Sequence, residues 1–328
     1  MTKQIMVGII GVGHLGQYHA KHFSQLPAAN LVGIFDSDRS RAREIANKYN
    51  TNVFESLEQL LDSVAAVSIV TPTITHAGIA EQCLQAGKHV FIEKPITKTV
   101  AEADRLIQLS QQTNSLLQVG HIERLNPALL PLKNFNLQPK FIEVQRLAPF
   151  TTRGTDVPVV LDLMIHDIDI ILSLVDSPVK NIRASGVSIM TKSVDIANAR
   201  IRFQNGTVAN FTASRIAKDQ VRKIKVFQQD MYATIDLSLG MTEVYRILDD
   251  KIKNPAAILT APLNQDGVHR QIVYEKPAIK KTDALQMELT NFIAAINGEE
   301  KPIVDGVAGR DALAVATKIH QMIIEDLL

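Results

Sequence analysis

Tryptophan is absent, and Cys83 is the only cysteine among 328 residues. A single thiol excludes an intrachain disulfide and fits a reducing compartment. No apolar run approaches the roughly 18 residues that a membrane helix needs. Excess charge is missing too: 35 basic residues face 34 acidic ones, a net of +1. The basic residues are scattered, so neither nucleic acid nor an anionic membrane is an expected partner. Met1-Thr2-Lys3-Gln4 enters an apolar stretch directly, without the shape of a secretion leader, and a cytosolic location is expected. An apolar share of 46% and a charged share of 21% are those of a soluble globular chain. The length is large for one core and suits two domains.

What is present is concentrated near the start. Ile5-Met6-Val7-Gly8-Ile9-Ile10 leads into Gly11-Val12-Gly13-His14-Leu15-Gly16, and a helical stretch runs from Leu15 to Leu26. The first glycine of G-x-G-x-x-G makes the tight turn. The second removes a side chain that would block a pyrophosphate, and the third lets helix pack on strand. The motif alone is weak, but the strand before it and the helix after it supply its context. A second apolar run, Leu31 to Phe35, ends at Asp36. An acid there suits the ribose hydroxyls of NAD and repels the extra phosphate of NADP. Arg39, Arg41 and Arg43 follow closely and could meet a 2′-phosphate. NAD is the expected cofactor, with NADP the lesser alternative.

The first 120 or so residues alternate strand and helix signals, which implies βαβ units and a parallel sheet. Predicted strands cover residues 5–10, 31–35, 66–70, 89–92 and 116–119, with a short one at 52–54. Predicted helices cover 39–48, 57–62, 76–86 and 100–112. After about residue 125 the runs become those of antiparallel strands: 141–147, 182–189, 197–203, 208–213, 221–228, 232–237 and 241–248. Asn205-Gly206 is a hairpin turn between two of them. One helix, Leu161 to Leu174, is inserted early, and the chain ends in helices over 283–296 and 305–328. The expected architecture is α/β: a Rossmann doubly wound domain over residues 1–121, then an α+β domain over 122–328 with a mostly antiparallel open sheet. The last helices are candidates to pack back on the first domain.

Ligands bind at the carboxyl ends of parallel strands, where Glu93-Lys94-Pro95 closes the fifth strand. A lysine there can hydrogen-bond a substrate hydroxyl and stabilise oxyanion charge, or be an ordinary solvated lysine. The tripeptide by itself carries nothing, since Glu275-Lys276-Pro277 repeats it after the strand-like run 271–274. Context selects Lys94 and leaves Lys276 as a loop residue. Thr71-Pro72 and His76 lie at the same sheet edge and either contact the cofactor or only start the next helix. Asp162 and His166 are four apart on an apolar helix, hence on one face. A buried Asp and His need partners or a role. His166 is the natural base for a hydroxyl proton, and Asp162 could orient it or bind substrate. A bracing pair is the structural alternative. No further His or Cys lies nearby at ligand spacing, so no metal is expected. Asp167 and Asp169 read as helix-face or interdomain contacts. Arg124 and Asn126 follow the sixth strand at the junction of the two halves. With Lys140, Arg146 and Arg153 they could supply positive charge for a carboxylate or phosphate.

Taken in order, Gly11–Gly16, Thr71-Pro72 with His76, Ala86-Gly87-Lys88-His89-Val90, Glu93-Lys94-Pro95 and Asp162-x-x-x-His166 resemble the glucose–fructose oxidoreductase, inositol dehydrogenase and MocA family over essentially the whole chain. The resemblance implies that Lys94 and His166 are the catalytic pair, with Asp162 binding substrate or supporting them. It implies cofactor contacts from Gly11, Gly13, His14, Leu15, Gly16, Asp36, Thr71, Pro72, His76, Glu93 and Lys94. It also implies dimers or tetramers formed through the open face of the second sheet. Residues 119–127, 143–150 and 156–169 look like the subgroup that oxidises the 3-hydroxyl of UDP-N-acetylglucosamine, on the way to amide-linked lipid A. Arg124, Asn126, Arg146 and Arg153 would then meet the substrate, the arginines at its diphosphate. The alternatives are a dehydrogenase of a free sugar or inositol, and a dinucleotide-sensing regulator. An intact Lys94, Asp162 and His166 argue against the regulator.

Overall fold

The computed structural model describes residues 4–151, 157–265 and 267–327. The chain divides into two compact units, residues 1–122 with 283–314 and residues 123–282 with 315–328.

The first unit holds strands β1 (Ile5–Ile10), β2 (Ala29–Phe35), β3 (Asn52–Val53), β4 (Ala66–Ile69), β5 (His89–Glu93) and β6 (Leu117–Gly120). They form a parallel sheet in the order β3-β2-β1-β4-β5-β6. Helices α1 (Gly16–Gln25), α2 (Arg39–Tyr49), α3 (Leu57–Ser63), α4 (Thr73–Gln85) and α5 (Val100–Gln112) connect them. The order reverses between β1 and β4, which opens a crevice at their carboxyl ends. Local chemistry sets the helix starts. Asp38 caps α2 by accepting the Arg41 amide, and Thr99 with Glu102 makes a capping box on α5. Helix α4 starts at Thr73, earlier than the sequence reading, because Pro72 already holds φ at −59° ahead of the first turn.

Helix α7 (Ala284–Ile296) belongs to this unit, and its apolar face explains why. Leu289, Phe292 and Ile293 join the core cluster of Val7, Ile9, Phe23 and Phe91. The Phe91 and Phe292 rings meet edge to face at 5.7 Å. Val119 then donates its amide to the Val304 carbonyl at 2.9 Å, so a returning segment covers the β6 edge. Gly306 and Gly309, at the start of α8 (Gly306–Leu327), press on β6; their Cβ atoms would lie 2.9 and 2.5 Å from Leu117 and Val119.

The second unit is built on β7 (Phe141–Leu147), β8 (Val179–Val187), β9 (Ile196–Phe203), β10 (Val208–Ser214), β11 (Val221–Gln228), β12 (Met231–Asp236), β13 (Met241–Asp249), β14 (Ala257–Gln265) and β15 (Val268–Glu275). These nine strands pair in the order β14-β15-β13-β12-β11-β7-β10-β9-β8. Only β7 with β10 is parallel; the other pairs are antiparallel. Strand β14 escaped the sequence reading. Pro262 lies inside it, and a proline is tolerated there because β14 is the sheet's edge. Period-two patterning buries Ile142, Val144, Ile224, Val226, Ala233, Ile235 and Val244 on one face. The other face carries a row of rings, Phe141, Phe227, Tyr232, Tyr245 and Tyr274, with successive centroids 6.0, 4.8, 5.9 and 4.8 Å apart. Between β7 and β8, residues Val160–Met164 make one wide π-type turn that passes into α6 (Ile165–Leu174). No helix among the described residues is long and apolar enough to cross a membrane.

Candidate active site

The glycine turn is shaped by three different constraints. Gly11 donates its amide to the Phe35 carbonyl at 2.9 Å, which ties β1 to β2, and it adopts φ +90°. Gly16 is required by packing, because a Cβ there would lie 2.0 Å from the Gly11 carbonyl oxygen. Gly13 faces open space, with nothing within 4 Å of where its Cβ would stand. That space lies at the N-terminus of α1, the place for a dinucleotide's pyrophosphate. Asp36 accepts the Val12 amide at 2.7 Å and the Asp38 amide at 2.8 Å, so its carboxylate is fixed at the edge of the turn. A cavity of about 450 Å³ lies alongside, lined by Gly11, Gly13, Asp36, Thr71, Pro72 and their neighbours. The open cradle, its size and the acid at its rim fit a dinucleotide. Two of the arginines after Asp36 are occupied. Arg39 donates to the carbonyls of Phe54 and Glu55, and Arg41 to the Val12 carbonyl and Glu44.

His76 departs from its predicted role. The ring is buried, and its nitrogens lie 2.9 Å from the carbonyl oxygens of Pro95 and Thr71. It braces the loops after β4 and β5 instead of offering a nitrogen to the cofactor. Thr71 keeps its place on the cavity wall, with its hydroxyl accepting that of Thr75 at 2.8 Å.

At the end of β5 the Lys94 amide donates to the Glu93 carboxylate at 3.2 Å. The other Glu93 oxygen lies 3.1 Å from Nε2 of His19, whose Nδ1 lies 2.9 Å from the Ser68 hydroxyl. Burial by itself would raise the Glu93 carboxyl. The His19 hydrogen bond and charge, with the Lys94 amide and charge, outweigh it and hold the acid below the usual carboxylate range. The sequence reading missed His19 and Ser68. Their signal was a histidine three residues after Gly16 and a serine inside an apolar strand. Lys276, by contrast, lies exposed just after β15.

In the second unit two of the three predicted diphosphate ligands, Arg124 and Arg146, are committed elsewhere. Arg146 is buried and grips Asp167 with two bonds of 2.7 Å, adding Glu123 at 3.1 Å. Burial opposes its charge, but Asp167 and Glu123 outweigh that and hold the guanidinium above its ordinary range. Burial also pushes the Asp167 carboxyl upward, against the pull of Arg146. Arg124 grips Asp169 at 2.7 and 2.6 Å. Asn126 donates to Glu123 and the Leu237 carbonyl and accepts the Ala128 amide at 3.0 Å. Asp167 and Asp169, read as helix-face or interdomain contacts, are thus the partners of those arginines within one unit. Both arginines and Asn126 brace α6 and its surroundings, so their assignment to the substrate is withdrawn. Arg153 lies outside the described residues. Asp162 sits in the wide turn and His166 in the first turn of α6, so the pair is carried by two kinds of helical turn. Among the described residues no group of three His, Cys, Asp or Glu side chains could hold a metal ion.

Comparison with known proteins places these features in a family. Residues 5–121 match the profile described as an oxidoreductase family with an NAD-binding Rossmann fold, and residues 138–232 match the GFO/IDH/MocA C-terminal domain. The chain is 39% identical to UDP-N-acetylglucosamine 3-dehydrogenase of Acidithiobacillus ferrooxidans, over 95% of each chain. A solved structure of that enzyme superposes with a TM-score of 0.89, at 37% identity and 99% coverage of both chains. Myo-inositol 2-dehydrogenase of Thermotoga maritima is 26% identical over 94% of this chain and 92% of its own.

Proposed function

The chain belongs to the Gfo/Idh/MocA family of NAD-binding oxidoreductases, and we propose that it oxidises the 3-hydroxyl of UDP-N-acetylglucosamine. The observation that carries the choice of substrate is the 39% identity, extending over both chains almost entirely, to an enzyme of that name. Bound NAD supplies the hydride acceptor. In the proposed step Nζ of Lys94 hydrogen-bonds the 3-hydroxyl oxygen and stabilises the charge that develops there. The His166 imidazole takes the hydroxyl proton, and Asp162 orients that ring or holds the sugar. The C3–H bond breaks with its electron pair leaving as hydride, and a C3 carbonyl forms. The products are a 3-keto sugar nucleotide, NADH and a proton. Such a ketone suits a following amine transfer, on the route to amide-linked lipid A. The same reading takes the protein as cytosolic and as a homo-oligomer paired over the open face of the nine-stranded sheet. The row of rings from Phe141 to Tyr274 supports that face.

Turnover of UDP-N-acetylglucosamine, UDP-glucose and myo-inositol with NAD and NADP, followed as reduced cofactor, tests the substrate. NADH formation with UDP-N-acetylglucosamine is expected, and turnover of inositol alone would sink the assignment. Lys94→Ala and His166→Ala are expected to lower kcat by about 10³-fold or more while NAD still binds. Near-full activity in both would remove the mechanism.

A further inference from the structure

One largely buried line of polar groups has no part in the mechanism above. It runs from Ser68 on β4, through His19 on α1, to Glu93 at the end of β5, all within the first unit. Glu93 is held ionised and can only accept, so Nε2 of His19 donates to it at 3.1 Å. Nδ1 meets the Ser68 hydroxyl at 2.9 Å, and both ring nitrogens are satisfied. The ring is fixed further by its edge contact with Phe91, at 5.6 Å between centroids. On its far side the carboxylate meets β6, where a Cβ on Gly120 would stand 3.0 Å from Oε1. The remaining oxygen, Oε2, accepts the Lys94 amide. A buried carboxylate is retained only where it is fully partnered. Here every partner holds it against the backbone of Lys94.

We propose that His19, backed by Ser68, is a positioning residue for Lys94. It locks the Glu93 carboxylate, and the carboxylate sets the backbone and ammonium of Lys94. Because His19 lies in the first turn of α1, it also ties Lys94 to the helix that begins at the glycine cradle. The proposal rests on the role given to Lys94 above.

The test compares His19→Leu, His19→Gln and Glu93→Gln with the parent enzyme. A 1 Å displacement of a reacting group can cost on the order of 10²-fold in rate. His19→Leu is therefore expected to lower kcat by about that factor, with the NAD Kd from calorimetry within about twofold of the parent. His19→Gln keeps a donor toward Glu93 and is expected to recover about tenfold of the loss. The second readout follows the Lys94 amine and needs no substrate: pulse acetylation, read by peptide mass spectrometry against Lys276. The Lys94 to Lys276 ratio is expected to change by about threefold or more in His19→Leu and Glu93→Gln, equivalent to half a pKa unit. An unchanged ratio in the folded variants overturns the proposal, whatever kcat does. An NAD Kd that rises in step with the loss of kcat also overturns it, since the pair would then serve the cofactor. Should His19→Leu fail to fold, Glu93→Gln carries both readouts. Lys94→Ala, run alongside, reports separately on the role of Lys94: full activity there ends that reading, while the labelling still measures positioning.

Discussion

The carbonyl oxygen of Gly11 occupies the space of the side chain that Gly16 lacks, 2.0 Å from its Cβ position. At Gly13, between them in the chain, a Cβ would have nothing within 4 Å. The two glycines therefore fail differently. Gly16→Ala must push α1 away from the turn and is expected to cost about 3 kcal/mol or more of stability. Gly13→Ala is expected to melt within about 2 °C of the parent. Its NAD affinity should nevertheless fall about tenfold or more, because the methyl enters the pyrophosphate's space. Thermal melts paired with NAD titration check both, and a Gly13→Ala protein with unchanged NAD affinity would contradict the cradle.

Arg146 is expected to matter for stability and not for substrate affinity. Arg146→Met leaves the buried Asp167 without its two bonds and Glu123 without one. Breaking one side of a buried pair costs roughly 3–5 kcal/mol. Urea denaturation should show that loss, with the KM for UDP-N-acetylglucosamine close to the parent's in whatever fraction stays folded. Unchanged stability with a raised KM would return Arg146 to the substrate.

His89 links stability to pH. Burial lowers its pKa from the ordinary 6.5. Its Nδ1 accepts the Leu116 amide at 3.0 Å, a bond that only the neutral ring can make. The unfolded chain therefore binds the proton more readily than the folded one, and stability rises with pH across this window. As pH falls below 6.5 stability is lost, and the loss stops growing once pH has passed below the folded-state value. Burial lowers His22 and His320 in the same direction and adds to the slope. Urea midpoints at pH 7.5, 6.5 and 5.5, values chosen about a unit apart to bracket the ordinary pKa, should fall in that order. His89→Asn, which keeps an acceptor without a titrating ring, should flatten the curve. An equally steep curve in that variant would show that His89 is not a source.

Most of the fold was legible because its signals are local. Strands β1, β7 and β11 fall on their predicted spans, since alternation and apolar runs depend only on neighbours in the chain. Strand β14 was not legible, because Pro262 and its exposure remove the pattern that burial writes into a strand. The glycine turn and Asp36 were legible for the same local reason. The arginines were not. Arg124 and Arg146 looked alike as charges near one another, and charge alone does not say which carboxylate it will meet.

The sequence by itself determined the dinucleotide turn, the parallel sheet that follows it and the family, because each is written in short runs with set spacing. Only the tertiary structure decided which polar groups serve a ligand and which serve the fold. Asp167 lies 21 residues from Arg146, and Glu93 lies 74 residues from His19. Contacts at such separations are set by how helices and sheet pack, and no spacing in the chain announces them.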